Sequence, residues 1–448
     1  MGLVQAGAVS RRQLIISTGA LAGAASVTPV TPVRANDPEP GAPASRLSSS
    51  WARDWVQTCF DLVWREGPTP PQAARCYAYV AIAMYEACVG GMPRHRSLGR
   101  QLNGLGRLPE PPGGPVDWAV ALAGSAHAVA HTVFAGSAPE QLATLDALLE
   151  QQVTARRAAG VRPVVVRRSL GHGRAVAATL SAWISADRYA GIVGRPWTPP
   201  VGESLWVSTP PNFRPAIEPY WSEVRPMLMR SAGEVEPVRH VPFSTEPGSA
   251  FWQEAETVLE TGRALTDEQR TIARFWTDNP RLSGLPSGHW LLLVSQVADQ
   301  QRLDLGDTVE ALALAGLSLH DAFLSCWTAK YRHHLLRPVT YINRHIDPTF
   351  ATFVNSPQFP EYTSGHSVAS RATSTVLTAV LGPVAFLDDS HRDRGLPARA
   401  FADFHAAADE AAQSRLYGGI HYPMGIDNGK EHGDRVGQLL LSRVRTRR

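Results

Sequence analysis

The chain has 448 residues, 44% of them hydrophobic and 19% charged, an ordinary globular composition with enough length for one large core or two smaller ones. The formal charge is +3, and residues 1–35 carry three of the 43 basic residues (Arg11, Arg12 and Arg34) and no acid, leaving 40 against 40 in the remainder. A neutral body excludes nucleic acid as an expected partner, and without a run of eighteen apolar residues beyond the N-terminus no membrane span is expected.

Residues 1–35 read as a leader. Ser10-Arg11-Arg12-Gln13-Leu14-Ile15 is a twin-arginine pattern, an Ala/Gly-rich apolar run follows to Val27, and Val33-Arg34-Ala35 resembles a signal-peptidase site. Twin-arginine export delivers folded protein, so the expected location is periplasmic or extracellular. The body then divides into an N-terminal helical half, 36–245, and a C-terminal bundle, 246–448. The four cysteines, Cys59, Cys76, Cys88 and Cys326, form no CxxC pair and are expected as buried thiols.

Helical spacing begins near Ser48 with Trp55, Cys59, Leu62 and Val63. Gln72 to Cys88 is apolar nearly all round, which predicts a central buried helix. Further helices are predicted over Val116–Phe134, Pro139–Ala158 and Val164–Ala186. Arg188 to Thr245 is dense in proline and tryptophan. Proline forbids helix interiors and the aromatics argue against disorder, so this stretch is expected as a long ordered loop strapped across the helices. Helices resume at Ser249–Leu265, Asp267–Trp276, Gly288–Gln300 and Thr308–Tyr331, the last opening with Asp307 and Glu310 at capping-box spacing. The pattern is all-α, two helical bundles side by side. The basic tail Arg443–Arg448 is expected to be solvated or frayed.

The apolar stripe Val309, Leu312, Gly316, Leu319, Phe323 and Trp327 reaches Lys330 at the same spacing, so Lys330 points inward. Arg337 lies two turns on, on the expected same face, and Pro338 is expected to end that helix. Buried cations need partners: carboxylates from another helix or a bound anion. Ser364-Gly365-His366 precedes an amphipathic helix, with Ser364 placed as N-cap, an arrangement that presents N–H groups and positive potential to an anion. A second copy, Pro286-Ser287-Gly288-His289, lacks matched basic partners and reads only as a helix start. Arg415 and His421 flank Gly418 and Gly419, where a turn lets both side chains reach one point. Together, two arginines, a lysine, a serine–glycine turn and two histidines suit a tetrahedral oxyanion. His333 and His334 are expected in supporting or surface packing, and His320-Asp321 as a buried polar pair.

K-x6-RP, SGH and SR-x5-H, at Lys330, Arg337, Ser364, Gly365, His366, Arg415 and His421, resemble the motif set shared by vanadium-dependent haloperoxidases and type 2 phosphatidic-acid-type phosphatases. Ala83–Ala87, the TPPNFRPAIEPYWSEVRP loop and Phe275–Trp290 favour the haloperoxidase branch. The resemblance implies vanadate as cofactor, bonded at vanadium by His421, its oxygens held by Lys330, Arg337, Arg415, Ser364 and the Gly365 N–H. His366 would hydrogen-bond the apical oxygen and be the acid/base, Lys330 would polarise the oxidant, and Trp327 and Phe359 would line a halide pocket. It further implies Asp278 as the acid orienting Arg415, and hydrogen peroxide, halide and a small organic acceptor as partners. Where the phosphatase pattern has an acid four residues after the last histidine, this chain has Gly425; Asp427 is the expected replacement. Thr363 replaces the usual proline before SGH.

Three rival readings stand beside this one. The same residues suit a soluble exported acid phosphatase with His421 as nucleophile, against which Trp327, Phe359, the proline loop and the length speak. A non-catalytic oxyanion-binding protein has no need of His366. A family member without halide oxidation is the third. The halide, the acceptor and the oligomeric state, a homodimer among the options, are open.

Overall fold

Most of the apolar periodicity in the sequence becomes helix. The computed structural model describes residue 39 and residues 41–448, so the leader at 1–35 lies outside the described residues. The N-terminal half supplies α1 (Ser50–Glu66), α2 (Pro70–Cys88), α3 (Trp118–Val133), α4 (Pro139–Ala158) and α5 (Pro163–Ser185). The C-terminal half supplies α6 (Ala250–Arg263), α7 (Asp267–Phe275), α8 (Leu285–Gln300), α9 (Leu305–His333), α10 (Pro338–His345), α11 (Gly365–Leu381), α12 (Phe404–Tyr417) and α13 (Pro423–Arg443). One short antiparallel pair, β1 (Phe386–Asp388) and β2 (Arg399–Phe401), sets Phe386 opposite Phe401.

Local chemistry fixes the starts. Thr69 and Gln72 form a reciprocal capping box at the head of α2, with prolines in the first turn where a missing N–H costs nothing. The predicted capping box of α9 is not formed. Asp304 caps that helix by accepting from the Asp307 N–H, while Glu310 is buried and accepts from Arg447. Asp304 stands closer to the helix start and reaches its free N–H groups first.

The core runs through both halves: buried side chains of α1, α2 and α3 join those of α8, α9, α11 and α13 in a single cluster. It crosses the border at residues 245 and 246. Helices α2 and α9 approach so closely that a Cβ at Gly316 would fall 2.9 Å from the Ala78 Cα. Helix α9 is long and apolar enough to cross a membrane by length and composition, yet its most apolar window is wholly buried against neighbouring helices. On α13, Gly429, Gly433 and Gly437 repeat every four residues and rest on α11; a Cβ at Gly433 would lie 2.3 Å from the Val368 carbonyl oxygen. That close contact seats the head of α13 beside the head of α11.

The proline-rich stretch is the expected ordered strap. Its Trp206 N–H donates to His334 O, Ile217 N–H to Gln358 O, and Leu205 forms a bridge with Leu335. It therefore buttresses the segments leading into α10 and α11. The basic tail is docked rather than frayed: Arg443 pairs with Glu234, Arg447 with Glu310, and Arg448 N–H donates to Arg94 O. All four cysteines are free and buried.

Candidate active site

Four chain segments meet behind the heads of α11 and α13. The C-terminal end of α9 brings Trp327 and Lys330. Helix α9 stops at His333, and His334 takes the left-handed conformation that closes it. Arg337 is consequently not on α9 as expected: it is the N-cap residue of α10, and Pro338 starts that helix instead of ending the previous one. Proline at the first helical position is favourable, and the break still leaves the arginine inward.

Lys330 and Arg337 are fully buried and Arg415 nearly so, at 0%, 0% and 2% exposure. Among the described residues none of them has a carboxylate within salt-bridge distance. Lys330 Nζ donates to the carbonyls of Pro360, Glu361 and Thr363 at 3.1, 2.8 and 2.5 Å. Arg337 donates to Phe359 O and Ile420 O at 2.9 and 2.8 Å, and its Nη1 lies 3.1 Å from His421 Nε2. Arg415 donates to Ser414 Oγ at 2.9 Å and Trp276 O at 2.8 Å. Burial lowers all three, Lys330 to about 8 and each arginine to about 10. Three dehydrated cations with no carboxylate in direct contact among the described residues are costly, and a bound anion would offset that cost.

Ser364 caps α11, accepting from the Ser367 N–H, and Gly365 begins the helix with a first-turn N–H that no helical carbonyl can take. The Lys330 ammonium, bonded to the neighbouring Thr363 carbonyl, sits beside that cap. Burial and then the charges of Arg337, Lys330, Arg415 and His366 hold His421 well below its ordinary value. The three cations and the second imidazole thus act on one ring, and the residues of the three motifs converge. Arg337 Nη2 and His366 Nε2 are buried without a partner. These orphan groups, the cations and the α11 terminus fit a small multiply charged oxyanion such as vanadate.

Trp327 and Phe359 stack obliquely with centroids 4.8 Å apart, and Lys330 Nζ lies 5.8 and 5.0 Å from the two rings. The pair forms an apolar wall next to the ammonium.

Two of the expected acids act differently. Asp427 does not reach His421: its exposed side chain pairs with Lys430 at 3.0 Å on the outer face of α13. The acid on His421 is Glu361, whose Oε1 accepts from Nδ1 at 2.7 Å and from the Tyr422 N–H at 3.2 Å. A Cβ at Gly425 would lie 2.2 Å from that oxygen, so the missing side chain at 425 makes the space that Glu361 fills. Burial pushes Glu361 up to about 7, against the pull of Lys330 and Arg337. An acid inside the apolar run FPEY was the available sequence signal.

Asp278 makes no hydrogen bond to Arg415, although its charge favours the guanidinium. It accepts from Ser283 Oγ at 2.9 Å and His289 Nδ1 at 3.0 Å, with His391 Nε2 at 3.4 Å and His366 Nε2 at 3.8 Å. His289, expected only as part of a helix start, is fully buried, and its Nε2 lies 2.8 Å from Asp388 Oδ2. Burial would lower His289, but the Asp278 and Asp388 charges overcome it and hold the ring up at about 10. Burial would raise Asp278, and His289 with the other histidines keeps it well below the carboxylate range. His366 is lowered to about 4 by burial and then by Arg415, so its imidazole is neutral at pH 7, with 15% of its side chain exposed. Of the other histidines singled out, His333 packs on Tyr362, His334 stacks on Trp197, and His320 pairs with Asp321 at 3.2 Å.

A family model described as the VCPO second helical-bundle domain matches residues 310–448. A solved structure described as the first bacterial vanadium-dependent iodoperoxidase is similar at 33% identity and TM-score 0.83, covering 90% of this chain and 97% of its own. The holo and apo forms of a bacterial vanadium-dependent chloroperoxidase share the fold at 15% identity and TM-score 0.62, covering 84% and 82% of this chain and 93% and 92% of theirs. No curated protein matches.

Proposed function

This chain belongs to the vanadium-dependent haloperoxidases, and on that premise we propose that it oxidises iodide with hydrogen peroxide, using vanadate held by His421. The observation that carries this reading is the gathering of Lys330, Arg337 and Arg415 around one neutral imidazole, with no carboxylate among the described residues at salt-bridge distance. When bound, vanadate supplies a Lewis-acid centre at which peroxide becomes electrophilic toward halide.

The residues divide the work by chemistry. Glu361 takes the Nδ1–H of His421 and so leaves Nε2 with the lone pair that would hold vanadate, beside Arg337 Nη1 at 3.1 Å. Lys330, Arg337 and Arg415 neutralise the oxygens, with Ser364 Oγ and the Gly365 N–H fixing orientation. Lys330 would supply positive charge to a cofactor oxygen held beside the Trp327 and Phe359 rings. His366, neutral and partly exposed, accepts a proton from incoming peroxide and exchanges it with solvent. Overall, halide, peroxide and one proton give hypohalous acid and water. Trp327 and Phe359 offer a polarisable wall for a large halide next to the Lys330 ammonium. Iodide is preferred because the similar structure at 33% identity is described as an iodoperoxidase. A small organic acceptor would take the product. The twin-arginine pattern at Ser10–Ile15 supports export, which cell fractionation of the full chain tests.

The deciding experiment mixes mature protein with vanadate, peroxide and each halide in turn, alongside a phosphatase assay. Iodide oxidation that requires vanadate is expected. Phosphatase activity alone would overturn the reading.

A further inference from the structure

Three clusters among the described residues bring three histidine or carboxylate ligand atoms within 4.8 Å of one another. Asp278, His289 and His391 belong to the active site. His95, Asp307 and Glu310 already hold a protein cation, since Arg447 Nη2 lies 2.6 Å from Glu310 Oε2 and 3.2 Å from Asp307 Oδ1. The third cluster is His127 and His131 on α3 with Asp146 on α4. Both ring Nε2 atoms converge on one oxygen, Asp146 Oδ1, at 2.7 and 2.9 Å.

We propose that His127, His131 and Asp146 form a zinc site that clasps α3 to α4, separate from the oxyanion site. Two histidines four residues apart share a helix face and aim their rings at one point, here with centroids 4.6 Å apart. Zinc bonds imidazole nitrogen at about 2.0–2.1 Å and carboxylate oxygen at about 2.0–2.2 Å, which puts neighbouring donors roughly 2.9–3.4 Å apart between right-angled and tetrahedral geometry. The observed 2.7 and 2.9 Å lie at or just below the right-angled end of that range and would open by about 0.5–0.7 Å for tetrahedral geometry. The donor set, two imidazoles and one carboxylate, suits a divalent transition metal with water at the remaining positions. Solvent reaches those positions: the side chains are 23%, 31% and 61% exposed. Trp55 packs edge-on against the His127 ring and limits its rotation.

The test titrates Zn2+ into the tag-free full chain by calorimetry and follows thermal unfolding with and without the metal. The wild type is expected to bind one zinc per chain and to unfold at higher temperature with it. Asp146→Asn and His131→Ala should each weaken binding at least tenfold and abolish the zinc-dependent shift, while retaining vanadate binding as proof of folding. Asp146→Asn changes an exposed side chain and keeps the fold safe as the primary variant. Absence of saturable binding, or equal affinity in both variants, would overturn the proposal.

Discussion

The dependence of His421 on Glu361 is testable from a position that touches neither the cofactor nor the ring. Alanine at 425 would put a Cβ 2.2 Å from Glu361 Oε1 and 2.9 Å from its Cδ and Oε2, where ordinary contact begins at 3.4 Å. The carboxylate must retreat by about 1 Å, and a hydrogen bond of 2.7 Å stretched by that much is lost. Losing a partner that orients a metal-binding histidine typically weakens metal affinity about 10–100-fold, or roughly 1.4–2.7 kcal/mol. Gly425→Ala and Glu361→Gln are each expected to fall in that range when vanadate binding is measured by equilibrium titration. Because both act through one contact, the double variant should bind hardly worse than either single one. Alanine is a better helix former than glycine by about 1 kcal/mol, so a general loss of α13 is not the expected cause. Wild-type affinity in both single variants, or a double variant whose loss is the sum of the two, would refute the reasoning.

Other outcomes follow from the same geometry. His289→Ala leaves Asp278 and Asp388 buried without their shared cation, and denaturant unfolding should show a loss of about 3–5 kcal/mol. The His289 contribution is present in full below its ordinary value of 6.5 and is lost as pH rises through about 10. Lys330 has the opposite sign: its pKa falls from 10.5 to about 8, so burying the ammonium costs stability below 8 and the cost is relieved between 8 and 10.5. Vanadate-free protein should therefore gain stability across that window relative to Lys330→Met, and parallel pH profiles would contradict the assignment. His366→Ala should lower turnover about 10²–10⁴-fold, the usual worth of a positioned acid/base, in a steady-state iodide assay, with vanadate affinity little changed.

The sequence carried the fold class because apolar spacing is local: α2 and α9 each announce themselves in their own residues. The candidate oxyanion ligands came from the motif resemblance, and local spacing supplied only their directions. A lysine on an apolar stripe, or a serine at a helix start, declares its direction within a turn or two. What failed was anything settled by a side chain from elsewhere in the chain. The sequence offered Asp427 because it follows His421, but helical geometry turns it outward to Lys430. Glu361, sixty residues earlier, arrives by folding.

The same division covers the remaining differences. Composition and periodicity determined a mostly helical body, and the motif resemblance singled out three basic and imidazole segments. Only the tertiary structure decided that α9 ends before Arg337, that His289 is a buried cation shared by two aspartates, and that the terminal arginines are docked. Backbone periodicity is encoded in neighbours, whereas the partner of a buried charge is whichever opposite group the packing brings within about 3 Å.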